Sequence, residues 1–154
     1  MTADALLTYR LPVCYLRTVC TQMGGALVEQ LMQHYTDAWG SRDPDRIVAL
    51  HTDDTTFHAH AGQEAARGKD AVRQVFADLL AQFPDLAFAP VAQRVGQDFW
   101  VAQWRMTGTL AGTDIAFDVD LVDVITVEDG LVKSKDSYLD AVSMQAQLGL
   151  VAAP

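Results

Sequence analysis

From residue 86 to residue 139 the chain reads as four strands in a row: Leu86 to Val95, Phe99 to Leu110, Ile115 to Val127 and Leu131 to Leu139. Each is parted from the next by a turn signal, Gly96-Gln-Asp, Gly112-Thr-Asp or Glu128-Asp-Gly. Strands joined by such short turns pair as consecutive hairpins, which confines this part of the chain to an antiparallel meander. A sheet of that kind needs a cover for its apolar face, and the preceding segment supplies one. Between Ala26 and Ser41, apolar residues at Val28, Leu31, Met32, Tyr35, Ala38 and Trp39 follow the three-and-four spacing of one helical face. Asp43-Pro44 offers an N-cap and a first-turn proline for a short second helix through about His51. Thr55 to Ala61 reads as a strand. After Gly68 the series Val72, Val75, Phe76, Leu79, Leu80 and Phe83 marks a third helix that ends at Pro84. Helices first and a long meander afterwards is the α+β pattern, with helices packed on one sheet face.

A chain of 154 residues suits one domain with one core. We place that domain at residues 26–150. Residues 1–25 read as a loosely ordered N-terminal extension and not as a secretory leader, because Asp4, Arg10, Pro12 and Arg17 interrupt their apolar stretch. The net charge of -9 repels phosphate backbones and anionic lipid, so neither nucleic acid nor a membrane is an expected partner. No apolar run approaches the ~20 residues of a membrane-spanning helix, so a soluble protein is expected. Cys14 and Cys20 are too few for a disulfide scaffold and lack the paired spacing of a zinc site, which fits a cytoplasmic protein.

Alternation along the strands singles out two acids. In Leu131-Val-Lys-Ser-Lys-Asp-Ser-Tyr-Leu139 the lysines at 133 and 135 alternate with Val132, Ser134, Asp136 and Tyr138. If the lysines mark the wet face, Asp136 points inward. From Ile115 to Val127 the odd positions are apolar except for Asp123, so that face also carries one carboxyl. Acids in an apolar interior must shift their pKa, pair, or serve chemistry. The plainer alternatives are a buried Asp136 satisfied by backbone or by Arg105, an Asp123 at a sheet margin, and a Tyr35 that is only core. His58 and His60 lie two apart on one strand face, a spacing that could seed a metal site with a third ligand such as Glu64. No further ligand has convincing spacing, so they read as rim histidines and no metal is expected.

The order of elements resembles the nuclear transport factor 2-like cone fold, a curved antiparallel sheet wrapped around helices. Particular residues narrow the resemblance to the SnoaL-like polyketide cyclase branch: Tyr35-x7-Asp43, Gly68-Lys-Asp-Ala-Val-Arg, Phe83-Pro-Asp-Leu86, Asp129-Gly130, Lys135-Asp-Ser-Tyr-Leu-Asp140 and Gln147-Leu-Gly149. Related cone-fold families include ketosteroid isomerases and limonene-epoxide-type hydrolases. The resemblance implies that Tyr35 and a protonated Asp123 match the oxyanion-hole pair of the isomerases, while Ala59 stands where their base would be. It also implies that Asp136 matches the catalytic last-strand acid of cyclases and epoxide hydrolases, and Arg105 the hydrolase arginine. Thr107 falls where the hydrolases keep a second aspartate.

Asp136, Asp123 and Tyr35 are therefore the expected catalytic residues, and Arg105, Thr107, Trp39, Phe57, Ala59 and Tyr138 the expected substrate-binding ones. Two arrangements of the third strand stay open. Trp100, Ala102, Trp104 and Met106 form the core face, or they form a dimer interface that leaves Arg105 in the pocket. The expected function is a cofactor-free acid/base enzyme, a homodimer through its sheet, that cyclises or isomerises a small hydrophobic carbonyl-bearing or polyketide-like molecule. Epoxide opening, and noncatalytic ligand binding or dimerisation, are the alternatives.

Overall fold

In the computed structural model the backbone is described for residues 13–151 and side chains for residues 24–151. The elements are α1 (Val13–Gly40), α2 (Pro44–Val48), β1 (His51–Ala59), β2 (Ala66–Arg67), α3 (Lys69–Gln82), β3 (Ala87–Val95), β4 (Phe99–Thr109), β5 (Ala116–Glu128), β6 (Leu131–Leu139) and α4 (Ala141–Gln147). The strands form one curved, unclosed sheet in the order β2-β1-β6-β5-β4-β3. All neighbours are antiparallel except β1 and β6, which run parallel. A parallel pair needs a long crossover, and α3 with the β3–β5 meander supplies it.

α1 begins at Val13 and so runs further back than the helix expected over 26–41. Its Gly24 and Gly25 cost helix propensity but permit a close approach. A Cβ on Gly24 would lie 3.0 Å from Gln97 Cγ in the β3–β4 turn. The first twelve residues of the expected extension lie outside the described residues. α2 is capped as its sequence suggests, with Asp43 Oδ1 accepting from the Asp45 N–H at 2.9 Å and Pro44 in the first turn. Arg42, at φ 59°, donates to the carbonyl oxygens of Leu86 (2.9 Å) and Phe83 (3.0 Å), clamping the α3–β3 junction.

The β5–β6 hairpin decides what faces inward. Asp129 (φ 51°) and Gly130 (φ 76°) make the two-residue turn, both in the left-handed conformation that a type I′ turn demands. Val127 pairs with Val132, but the next pair is Thr126 with Ser134, so Lys133 is an extra residue in β6, a β-bulge. One inserted residue reverses the alternation beyond it. Val132 is buried before the bulge; after it Lys135 and Ser137 are buried at 5% exposure. Asp136 is thereby turned to the outer face. The expectation that Asp136 and Tyr138 look inward while Lys135 is wet is reversed for this reason. Tyr138 is 48% exposed.

The core lies between the helices and the inner sheet face. Phe76 of α3, fully buried, meets Trp39 of α1 edge-on at 4.9 Å, Phe57 of β1 at 5.1 Å and His51 at 5.7 Å. On β4, Trp100, Ala102, Trp104 and Met106 are buried in this core and Arg105 is on the other face. The tryptophan face is thus spent on the chain's own interior and is not left for a partner. Phe76→Ala should cost about 3–5 kcal/mol in denaturant unfolding; a loss below about 1 kcal/mol would show that the ring does not join α3 to α1 and β1.

Candidate functional site

β5 and β6 bring a carboxylate and an ammonium together inside the sheet. Asp123 stands opposite Ser137 on β6 and Ala102 on β4. It is 5% exposed, as the apolar alternation of β5 implies. Its Oδ1 accepts from Ser137 Oγ at 2.6 Å and from Lys135 Nζ at 2.5 Å, and its Oδ2 accepts from Trp104 Nε1 at 3.1 Å. Three donors converge on its two oxygens, which act as acceptors toward all of them. An ion pair this deep is held only when its geometry and additional hydrogen bonds offset desolvation of both charges. Lys135 gains further from aromatic faces, its Nζ lying 5.9 Å from the Trp39 ring centre and 6.0 Å from that of Phe57.

Two cavities adjoin this pair. One, of about 310 Å³, lies among Tyr35, Trp39, Phe88, Trp100 and Trp104, and the other, of about 410 Å³, runs past Phe57, Ala59 and Leu121. Trp39, Phe88 and Lys135 line both. These volumes suit small organic molecules, and the few polar groups among aromatic walls are the usual make-up of a small-molecule site.

Behind the first cavity a buried polar chain runs from α1 to β6. Tyr35 OH is 3.0 Å from His51 Nε2, His51 Nδ1 is 2.9 Å from Thr55 Oγ1, and Thr55 Oγ1 donates to the Lys133 carbonyl at 3.1 Å. Because the Thr55 hydrogen is used on that carbonyl, Thr55 accepts from His51 Nδ1–H, and Nε2 then accepts from Tyr35. The Tyr35 hydrogen is therefore committed to His51. Burial pushes the Tyr35 phenol well above its ordinary pKa, so it stays un-ionised. Burial first, and the Lys135 cation second, hold His51 down to about 3, so the imidazole is neutral.

The residues singled out from sequence divide cleanly. Asp123, Tyr35, Trp39, Phe57 and Ala59 are at the cavities. Asp136, Arg105, Thr107 and Tyr138 are on the outer sheet face. Arg105 lies 46% exposed between Asp118 and Asp120, so it does not reach Asp136 or a pocket. Lys135, Ser137, Trp104 and His51 are the polar members that sequence reasoning missed. A signal for Lys135 was present: without the bulge, the Asp129-Gly130 turn would set Asp123 directly opposite Asp136, two like charges on one buried face.

His51 makes a pH-dependent contribution whose sign follows from its lowered pKa. Above pH 6.5 both folded and unfolded chains hold it neutral; below that the unfolded chain takes a proton that the folded chain refuses down to about 3. Stability should fall with decreasing pH across this window, by up to about 1.4 kcal/mol per unit. Urea unfolding between about pH 7 and about pH 4.5 should show this slope in the wild type and a shallower one in His51→Gln. Equal slopes would remove His51 as its source.

Among the described residues, no helix is long and apolar enough to cross a membrane. No curated protein sequence matches the chain. Among solved structures, a candidate SnoaL-like polyketide cyclase from Jannaschia sp. is similar with TM-score 0.72 and 22% identity, over 99% of this chain and 100% of that one. A protein of ketosteroid isomerase-like fold from Catenulispora acidiphila, solved in complex with trimethylamine, has TM-score 0.71 and 20% identity, over 79% of this chain and 94% of that one. A nuclear transport factor 2-like protein from Burkholderia xenovorans has TM-score 0.69 and 20% identity, over 83% and 97%. These likenesses establish the fold. Residues 32–135 match the sequence profile of the SnoaL-like domain, about two thirds of the chain, and the protein belongs to that family.

Proposed function

We propose that the chain is a cofactor-independent acid/base enzyme for a hydrophobic small molecule bearing a carbonyl group, with Asp123 and Lys135 as its working pair. The observation that carries this reading is the placement of both charges, each 5% exposed, against aromatic-walled cavities. Lys135 has three N–H donors and gives one to Asp123, which leaves donors for a carbonyl oxygen. Asp123 has used two acceptor sites on Oδ1 and one on Oδ2, which leaves an Oδ2 lone pair for a proton. A substrate whose carbonyl oxygen meets Lys135 would present its α-hydrogen near Asp123. Proton transfer to the carboxylate then neutralises one charge while the enolate oxygen forms beside the ammonium, so the site's net charge is unchanged. Such stabilisation by a fixed, buried group is worth more than the same contact in water. In a substrate with a conjugable double bond, returning the proton from Asp123 to the γ-carbon of the dienolate would isomerise it; attack of the enolate carbon on a second carbonyl, with the proton passed from Asp123 to the new alkoxide oxygen, would cyclise it. Tyr35, its hydrogen used by His51, contributes an acceptor and a wall.

Epoxide opening loses its support because Arg105 and Asp136 lie on the outer face. Binding of an organic cation, as in the trimethylamine complex of the Catenulispora protein, is also disfavoured. Here the Lys135 ammonium already occupies the aromatic wall, and a second cation would be repelled.

Deuterium incorporation from D2O into a panel of hydrophobic ketones and polyketide-like esters tests the proposal. Exchange at the α-carbon should fall about 10²- to 10⁴-fold in Asp123→Asn, the usual worth of a positioned proton-transfer group. Exchange that survives Asp123→Asn but is lost in Asp136→Asn would overturn it.

A further inference from the structure

The outer face of β1 and β6 carries a second cluster that the cavity chemistry leaves unused. His58 of β1 pairs in register with Asp136 of β6. His60, just past the end of β1, is tied to β6 by its backbone N–H, which donates to the Ser137 carbonyl at 2.8 Å. His60 Nε2 lies 2.9 Å from Asp136 Oδ1, and the two imidazole centres are 3.8 Å apart. Ligand atoms of His58, His60 and Asp136 all fall within 4.8 Å of one another, the one such group of three among the described residues. The His60 and Asp136 side chains are 31% and 34% exposed, so the cluster is set into the surface yet open to solvent.

Two contacts orient the imidazoles in advance. His58 Nε2 is 3.0 Å from the Gln63 carbonyl oxygen, which can only accept. Nε2 therefore carries the hydrogen, and the lone pair of the neutral ring is on Nδ1. Donation of the other ring N–H to a backbone carbonyl is how proteins orient a metal-bound histidine and raise its basicity. The His60 ring is held by stacking on Tyr138, 4.1 Å away and within 8° of parallel.

We propose that His58, His60 and Asp136 bind a divalent first-row transition ion of the zinc class, with its remaining positions open to water. Two imidazole nitrogens and one carboxylate favour Zn²⁺, Co²⁺ or Ni²⁺ over Mg²⁺ and Ca²⁺, which prefer oxygen ligands throughout. Bonds of about 2.0–2.2 Å in a tetrahedral site leave neighbouring ligand atoms roughly 3.3 Å apart. The His60–Asp136 edge, at 2.9 Å, is already near that separation, and the three ligand atoms lie within 4.8 Å of one another. A net charge of -9 concentrates cations around the chain. The third ligand that local spacing could not supply is thus Asp136, brought to the two histidines by the parallel β1–β6 pairing. Because the site lies across the sheet from Ala59 and the cavities, the ion acts by fastening the end of β1 to β6.

The untagged full-length chain, stripped with chelator, is titrated with Co²⁺ and then competed with Zn²⁺. One Co²⁺ per chain should bind, with visible absorption bands that Zn²⁺ abolishes and a raised unfolding temperature. His60→Ala and Asp136→Asn should each weaken binding at least about tenfold, the loss seen even for outer partners of metal ligands. Replacing the exposed His34 of α1 by alanine should leave binding unchanged. In the wild type alone, Co²⁺ should broaden the imidazole NMR signals of His58 and His60 and spare those of His34 and His51, a readout that survives if a variant misfolds. Absence of Co²⁺ binding, or binding with equal affinity in the variants, or broadening at His34 instead, would overturn the proposal.

Discussion

The buried contact between Asp123 and Lys135 is the constraint on which the interior depends. Two opposite charges removed from water must be supplied with donors and acceptors, and the sheet supplies them across strands: Ser137 directly opposite, Lys135 beside it, Trp104 from β4. That supply depends on a single extra residue. Lys133 bulges out of β6 and finds its own partners in Asp54 and Glu128, at 2.6 and 2.9 Å. The bulge reverses the faces of everything from Ser134 to Leu139, turning an ammonium and a hydroxyl toward Asp123 and a carboxylate away from it. Bulges at such places re-aim side chains, and here the re-aiming converts a clash of acids into an ion pair.

The same reversal builds the outer face. Asp136, turned outward, meets His60 and lies across from His58, while Tyr138 becomes the platform on which His60 stacks. One backbone irregularity thus separates two chemistries by the thickness of a sheet. An ammonium–carboxylate pair sits buried in the interior and an imidazole–carboxylate cluster at the surface.

Much of this was legible in the residues. The Asp129-Gly130 turn, the Asp43-Pro44 helix start, the helical face from Val72 to Phe83 and the apolar alternation of β5 each have a local cause, and each element formed close to where its cause placed it. β6 has the expected boundaries but the opposite phase, because alternation was carried through Lys133 as though the strand were regular. The pairing of β1 with β6 is a long-range contact with no local signature. For that reason His51, read as the end of a short helix, lies in β1 as the neutral centre of a buried chain, and the partner of His58 and His60 could not be found by spacing. Resemblance placed Arg105 in a pocket, but Asp118 and Asp120 beside it on the outer face hold it there.

A double-mutant cycle on the ion pair addresses the central claim most directly, with Asp123→Asn, Lys135→Met and the combined variant compared by urea unfolding near neutral pH. Removing one charge strands the other in an apolar interior, so each single change should cost about 3–5 kcal/mol, and the double variant should cost clearly less than the sum. Costs that simply add, or a Lys135→Met change that costs nothing, would mean that Lys135 does not meet Asp123 inside the sheet.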